Sequence, residues 1–343
     1  MEFTLTAPNQ LRLATHIFDL GWDKQSLRSE SVCVIDMTRC TYGEPQGMIL
    51  FAIICRNLIK KHPNVTFKLR TKSNEFKGYA SHVGLFRYMG FDLGNAPNSA
   101  SGSKTYTPIR TFEIDKIKAA AKGEPVGKYL TTYSAELSKV LSKSESGNIF
   151  DLFDYCLREV MRNAVEHGTG RNLVVFGQRW PTTETAEIAI YDDGIGVANT
   201  LYDNEYIDCR DGSDALKFAL LPGILGVSLE KRINQDKAWG NSGFGLYVTS
   251  RFCSEYGSFR IISGKDALTF ANGNQTEHKW DLPGTFIQLR FSVKSSSDQI
   301  SRIGQIVEEG QAMFNEIIGN FPIQPSAASK LLASHFENMP THT

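Results

Sequence analysis

Apolar residues recur along this chain in two rhythms, one suited to strands and one to helices. In the first hundred residues, 32–37 (Val-Cys-Val-Ile-Asp-Met) form a short apolar run of the kind that makes a buried strand. Residues 46–61 are apolar at the start and basic at the end, and read as a helix. Residues 64–70 alternate with period two, and 75–89 read as a helix stopped by Gly90. Strand–helix–strand–helix implies parallel pairing, so the pattern predicts a small α/β domain over 1–105. The stretch 95–103, Asn-Ala-Pro-Asn-Ser-Ala-Ser-Gly-Ser, has the composition of a linker.

The helical rhythm then takes over. Residues 114–144 read as one or two helices, broken near Gly123-Glu124-Pro125, and predict a helical linker over 106–146. In 148–167, Ile149, Phe153, Leu157, Val160 and Ala164 step by three and four, a stripe suited to facing a sheet. Asn148 is placed to cap this helix and Gly168 to stop it. Residues 186–191 and 284–291 alternate as strands. Residues 296–318 predict a last helix, with Ser296 and Gln299 as a capping box. Its stripe is Ile300, Ile303, Val307, Phe314 and Ile317, and the final 20 or so residues read as a mobile tail.

Candidate chemistry sits in three segments. On the 148–167 helix, Glu159, Asn163 and His167 are spaced four apart and share one side. The amide oxygen of Asn163 suits a hard cation, and Glu159 can orient or deprotonate a water. Taken alone, the triplet also suits a solvated helix face. At the end of the 186–191 strand stands Asp192-Asp193-Gly194-Ile195-Gly196. A carboxylate there can accept from an exocyclic amine, and the glycines let the backbone approach a flat ligand. Gly240-Asn241-Ser242-Gly243-Phe244-Gly245-Leu246 runs straight into a predicted helix. Such a turn presents free N–H groups and the positive end of the dipole to phosphate.

Helix with Glu-x-x-x-Asn, then strand with Asp-x-Gly-x-Gly, then Gly-x-Gly-Leu into a helix, resembles the GHKL ATPases. That superfamily holds gyrase-type topoisomerases, heat-shock chaperones, histidine kinases and mismatch-repair ATPases. The resemblance runs from about residue 147 to 293, including Gly284-Thr285 on the closing strand. It implies an α/β sandwich over 147–295 that binds ATP with Mg²⁺. Asn163 would hold the metal and Glu159 would be the general base. Asp192 would bind the adenine amine, with Gly194, Gly196 and Thr285 shaping that pocket. Ser242, Gly243, Gly245 and Leu246 would border the phosphates. For His167, capping its helix and touching the ligand remain equal alternatives. Residues 197–240 would be the ATP lid, with a short helix at 214–221; Lys231 and Arg232 either meet phosphate or are surface charges.

The N-terminal region resembles STAS-type domains, on Ile35-Asp36-Met37-Thr38 and Gly84-Leu85-Phe86-Arg87-Tyr88-Met89-Gly90-Phe91. Where phosphorylated members carry a serine, this chain reads Gly43-Glu44-Pro45-Gln46-Gly47. The resemblance therefore implies a docking surface for a protein partner rather than a phospho-switch.

Lysine plus arginine equals aspartate plus glutamate at 37 each, so no global field points to nucleic acid or an acidic membrane. The longest apolar run, 48–55, is too short for a bilayer, and no signal-peptide pattern opens the chain. Six cysteines in no metal-ligand spacing suit reduced core thiols. A cytoplasmic protein is expected.

Seven histidines stand at 16, 62, 82, 167, 278, 335 and 342, so none lies in the linker, where a histidine kinase would carry its phosphoacceptor. About 50 residues follow Val293, too few for the second domain of the topoisomerases and chaperones. What remains is a slow Mg-dependent ATPase whose lid closure regulates partner docking, in signalling or defence. The alternatives are a serine kinase resembling the anti-sigma-factor kinases, and a scaffold that binds ATP without turnover. Homodimerisation is an expectation from the family alone.

Overall fold

The computed structural model describes residues 2–121, 126–167, 169–201, 212–224, 243–294 and 297–318. The chain is mixed α/β and forms two compact units. The first takes Met1–Thr111 together with Val175–Gln178 and Glu187–Ala189. The second takes Phe112–Val174, Arg179–Ala186 and Ile190–Thr343.

In the first unit, β1 (Glu2–Thr6), β3 (Val32–Asp36) and β5 (Thr66–Arg70) form a parallel sheet in the order β1-β3-β5. β2 (Gln10–Leu11) and β4 (Tyr42–Gly43) make a second, two-residue parallel pair. The first strand escaped the sequence reading, since Glu2–Thr6 carries only Phe3 and Leu5 as apolar residues. A short helix α1 (Ala14–Phe18) precedes the buried helix α2 (Pro45–Lys61). Every residue of α2 from Pro45 to Cys55 is buried, because apolar side chains run round its whole circumference. Gly47 makes that burial possible: a Cβ there would stand 2.2 Å from the Leu11 carbonyl oxygen.

The helix expected over 75–89 is two helices, α3 (Glu75–Val83) and α4 (Leu85–Met89). Gly84, at φ +91°, turns left-handed between them and ends the first. Asn74 caps α3 by accepting from the Lys77 N–H at 2.8 Å. At the start of α2, the buried Glu187 carboxylate accepts from the Gln46 N–H at 2.9 Å, where the helix dipole favours an anion. Glu44 and Gln46 are themselves buried, at 1% and 4% exposure, so neither presents a side chain for docking.

The remaining elements are β6 (Tyr106–Glu113), α5 (Ile114–Ala121), α6 (Val126–Ser142), α7 (Asn148–His167), β7 (Asn172–Trp180) and β8 (Thr185–Asp192). There follow α8 (Val197–Leu201), α9 (Gly212–Ala219), α10 (Gly245–Tyr256), β9 (Gly257–Ala271), β10 (Asn274–Ser292) and α11 (Ser297–Ile318). A five-stranded sheet runs in the order β6-β7-β8-β10-β9, with β9 and β10 antiparallel.

Helix α7 begins at Asn148 itself, after Gly147 at φ +95°. Asn148 is therefore the first helical residue rather than the cap, and its Oδ1 is buried without a hydrogen-bond partner. The expected stripe of α7 packs inward, with Phe153, Leu157, Val160 and Ala164 all buried. Phe153 stacks on Phe291 of β10 at 4.3 Å between ring centroids, and Phe252 of α10 meets the same ring at 5.7 Å. One sheet face thus carries both helices. Helix α6 covers α7 on another side, so α7 is enclosed well beyond its stripe.

Helix α11 packs on α10, with Ile303, Ile306, Val307 and Phe314 buried. The proposed capping box includes Ser296, which lies outside the described residues, as does the 319–343 tail. Cys33, Cys40, Cys55, Cys156 and Cys253 are buried and free; burial pushes the Cys40 and Cys156 thiols up to about 12. Among the described residues, no helix is long and apolar enough to cross a membrane.

Candidate functional site

Alternation along three neighbouring strands points one set of side chains at α7. Ile190 and Asp192 come from β8, Thr285 and Ile287 from β10, and Ile261 from β9. The register sets Thr285 beside Ser263 and Ile287 beside Ile261. Between these residues and Val160, Asn163 and Ala164 of α7 lies a cavity of about 110 Å³. Leu201 of α8, Ala219 of α9 and Ile224 close a further side, and Gly243 and Leu246 border it where α10 begins. The lining is largely apolar, with a few convergent polar groups, the usual make-up of a small-molecule site.

The two acidic residues at the end of β8 have different roles. Asp193 turns away and pins the preceding loop. Its Oδ1 accepts from the Arg171 and Asn172 N–H groups at 2.7 and 2.8 Å, and its Oδ2 accepts from Asn172 Nδ2 at 2.8 Å. A Cβ on Gly170 would stand 2.6 Å from the same Oδ1, so the loop needs glycine there. Asp192 faces the cavity, 8% exposed, and accepts from the Gly194 N–H at 3.0 Å. Burial pushes the Asp192 carboxyl up to about 7. The Gly194 N–H pulls the other way, Asp193 adds to the rise, and a hydrogen bond from Thr285 offsets part of it. Near neutral pH, Asp192 is poised between an acceptor-only carboxylate and a neutral acid that also donates.

A buried serine that the sequence reading missed fixes this corner. Ser263 Oγ accepts from the Val197 N–H at 2.8 Å, donates to the Gly284 carbonyl at 3.0 Å and lies 3.3 Å from Thr285 Oγ1. It ties the start of α8 to the Gly284-Thr285 pair. Its one sequence signal was a polar residue following the apolar pair Ile261-Ile262, which is weak. Gly284 itself, at φ +86°, lies so close to β8 that a Cβ would stand 2.0 Å from the Asp192 carbonyl oxygen.

Of the expected site residues, Asn163, Asp192, Gly196, Gly243, Leu246 and Thr285 line this one cavity. Gly194 stands behind it, hydrogen-bonded to Asp192. Glu159 and Gly245 are not in the lining; they pack on each other. The Glu159 side chain fills the space beside Gly245, where a Cβ would meet Glu159 Oε2 at 2.4 Å. Glu159 is fully buried, and its Oε2 accepts from Arg162 Nη2 at 2.6 Å. Asn163 lines the cavity, whereas Glu159, one turn before it on α7, is covered where α10 begins. Ser242, Lys231, Arg232 and the side chain of His167 lie outside the described residues, with 202–211 and 225–240 of the expected lid.

The described part of that segment is anchored. Lys217 and Ser213 of α9 hold Glu277 of β10 at 2.9 and 2.7 Å, and Gly212 abuts Asp266. At the segment's far end, the Gly223 N–H donates to the Gly243 carbonyl at 3.1 Å.

Among the described residues, no group of three or more His, Cys, Asp or Glu side chains is placed to hold a metal ion. A cation here would have Asn163 as its protein ligand and would draw its other oxygens from a bound anion and water, as Mg²⁺ commonly does. Set against protein-family models, curated proteins and solved structures, the chain gave no match.

Proposed function

We propose that this protein binds ATP with Mg²⁺ in the cavity between α7 and the sheet, in the manner of the GHKL ATPases, and hydrolyses it slowly. The observation that carries the reading is convergence. Four segments far apart in sequence supply Asn163, Asp192 with Gly196, Gly243 with Leu246, and Thr285 to one cavity. These are six of the ten positions that the family resemblance picks out.

The division of labour follows from chemistry. Asp192 and Thr285 offer an acceptor and a hydroxyl to the amine edge of adenine, while Ile190, Ile261 and Ile287 offer apolar contact to the ring. The backbone entering α10 offers N–H groups and a helix N-terminus to phosphate. Mg²⁺ would neutralise phosphate charge, with Asn163 fixing its place. Glu159, one turn before Asn163, is the candidate base. The N-terminal unit, with its parallel β1-β3-β5 sheet and buried α2, suits a STAS-like partner-binding role. Regulation of a protein partner from the cytoplasm is the function that this pairing of modules suits.

One observation favours a second reading, nucleotide binding without turnover: Glu159 is buried, ion-paired and outside the cavity lining. Incubation with γ-labelled ATP separates the two. Free phosphate that disappears in Glu159→Ala supports the hydrolase. Tight binding with no phosphate released supports the scaffold, and label on protein supports a kinase. Absence of ATP binding refutes the proposal as a whole.

A further inference from the structure

Arg162 carries a role that the sequence motif does not assign. It lies one turn beyond Glu159 on α7, and the two side chains are 4% and 1% exposed. Its Nη2 donates to Glu159 Oε2 at 2.6 Å, while Glu166 Oε2 stands 3.8 Å from its Nε on the other side. The second Glu159 oxygen, Oε1, is buried with no hydrogen-bond partner. Such an orphaned acceptor is uncommon in a folded protein and asks for a reason. Its surroundings supply one. Val160 and Asn163 flank Glu159, Gly243 and Leu246 flank Gly245, and all four line the cavity. The Glu159–Gly245 contact therefore lies directly behind that lining, at the end where α10 opens.

We propose that Arg162 is the positioning residue for Glu159: its guanidinium anchors Oε2 and leaves Oε1 as the oxygen that takes a proton from water. The inference rests on the hydrolase reading above. A carboxylate held at one oxygen by a charge-assisted hydrogen bond cannot rotate away. The water gives its proton to Oε1 as its oxygen bonds to the terminal phosphorus. The bond from that phosphorus to the bridging oxygen breaks, and its electron pair leaves with ADP. The proton then passes from Oε1 to the released phosphate.

The test compares wild type, Arg162→Met and Arg162→Lys in the full chain, with Mg·ATP. Phosphate release is followed over a range of ATP concentrations to separate kcat from KM, and nucleotide affinity is measured by calorimetry. For Arg162→Met the expected result is a fall in kcat of about 30-fold or more with KM within about threefold, the pattern of an interaction used in the transition state. Arg162→Lys should recover about tenfold of the lost rate, since it restores a cation without the fork.

A loss that falls on KM rather than kcat, or a loss of rate that follows the folded fraction with no rescue by lysine, would overturn the positioning role. If Arg162→Met does not fold, Arg162→Lys decides: a folded lysine variant with the wild-type kcat overturns it. Wild type that binds ATP but releases no phosphate overturns this inference and leaves the binding reading standing. Wild type that binds no ATP overturns both.

Discussion

Asp192→Asn should make the protein more stable above neutral pH while weakening nucleotide binding. The wild-type carboxyl is buried, and burial lifts it from its ordinary 3.8 to about 7. Between those two values the folded state holds a proton that the unfolded state releases. Stability from this group is therefore fully present below about pH 4 and is lost as pH rises to about 7. At 1.36 kcal/mol per pH unit, the gap amounts to about 4 kcal/mol of destabilisation above pH 7. Asparagine has nearly the same shape, keeps an oxygen for the Gly194 N–H and carries no charge to bury. Melting at pH 8 should show Asp192→Asn higher than wild type by roughly 10 °C, at about 2–4 °C per kcal/mol for a unit of this size. At pH 4 the two melting points should nearly coincide. The same substitution removes a charge-assisted hydrogen bond and should weaken ATP binding about tenfold or more. A difference in melting point that is flat with pH, or a less stable Asp192→Asn at pH 8, would refute the reasoning.

Two other perturbations test separate parts of the site. Asn163→Ala should weaken Mg·ATP binding by calorimetry, whereas Glu159→Ala should keep affinity within about threefold and lose phosphate release; unchanged affinity in Asn163→Ala contradicts its metal role. Gly284→Ala places a Cβ 2.0 Å from the Asp192 carbonyl oxygen at a positive φ, so urea denaturation should show a loss of about 2 kcal/mol or more. Wild-type stability in that variant would mean the β8–β10 corner is looser than its geometry indicates.

The three-segment motif was legible because each piece has a strong local signature. A four-residue helical spacing, an acidic strand end and a glycine turn can be read without knowing what packs on them, and the cavity draws on all three. What was not legible depends on contacts distant in sequence. Glu159 was read beside Asn163, but its environment is set by Gly245, more than eighty residues away. Which member of Asp192-Asp193 faces the cavity could be named from the motif; why the other cannot is visible only in its bonds to Arg171 and Asn172. Ser263 and Gly170 matter through backbone partners, which no periodicity reports. The split at Gly84 was missed because 75–89 is apolar enough on both sides to sustain a single helical pattern. Strand β1 is too short and too polar to stand out, and pairing with β3 defines it.

The most direct measurement is a crystal structure of the full chain with Mg²⁺ and a non-hydrolysable ATP analogue. The account predicts the adenine amine within hydrogen-bond reach of Asp192, with Thr285 beside it. It places the metal on the Asn163 amide oxygen and the phosphates against the backbone that opens α10. An analogue bound elsewhere, or crystals that leave the space between α7 and β8 vacant at saturating ligand, would contradict it.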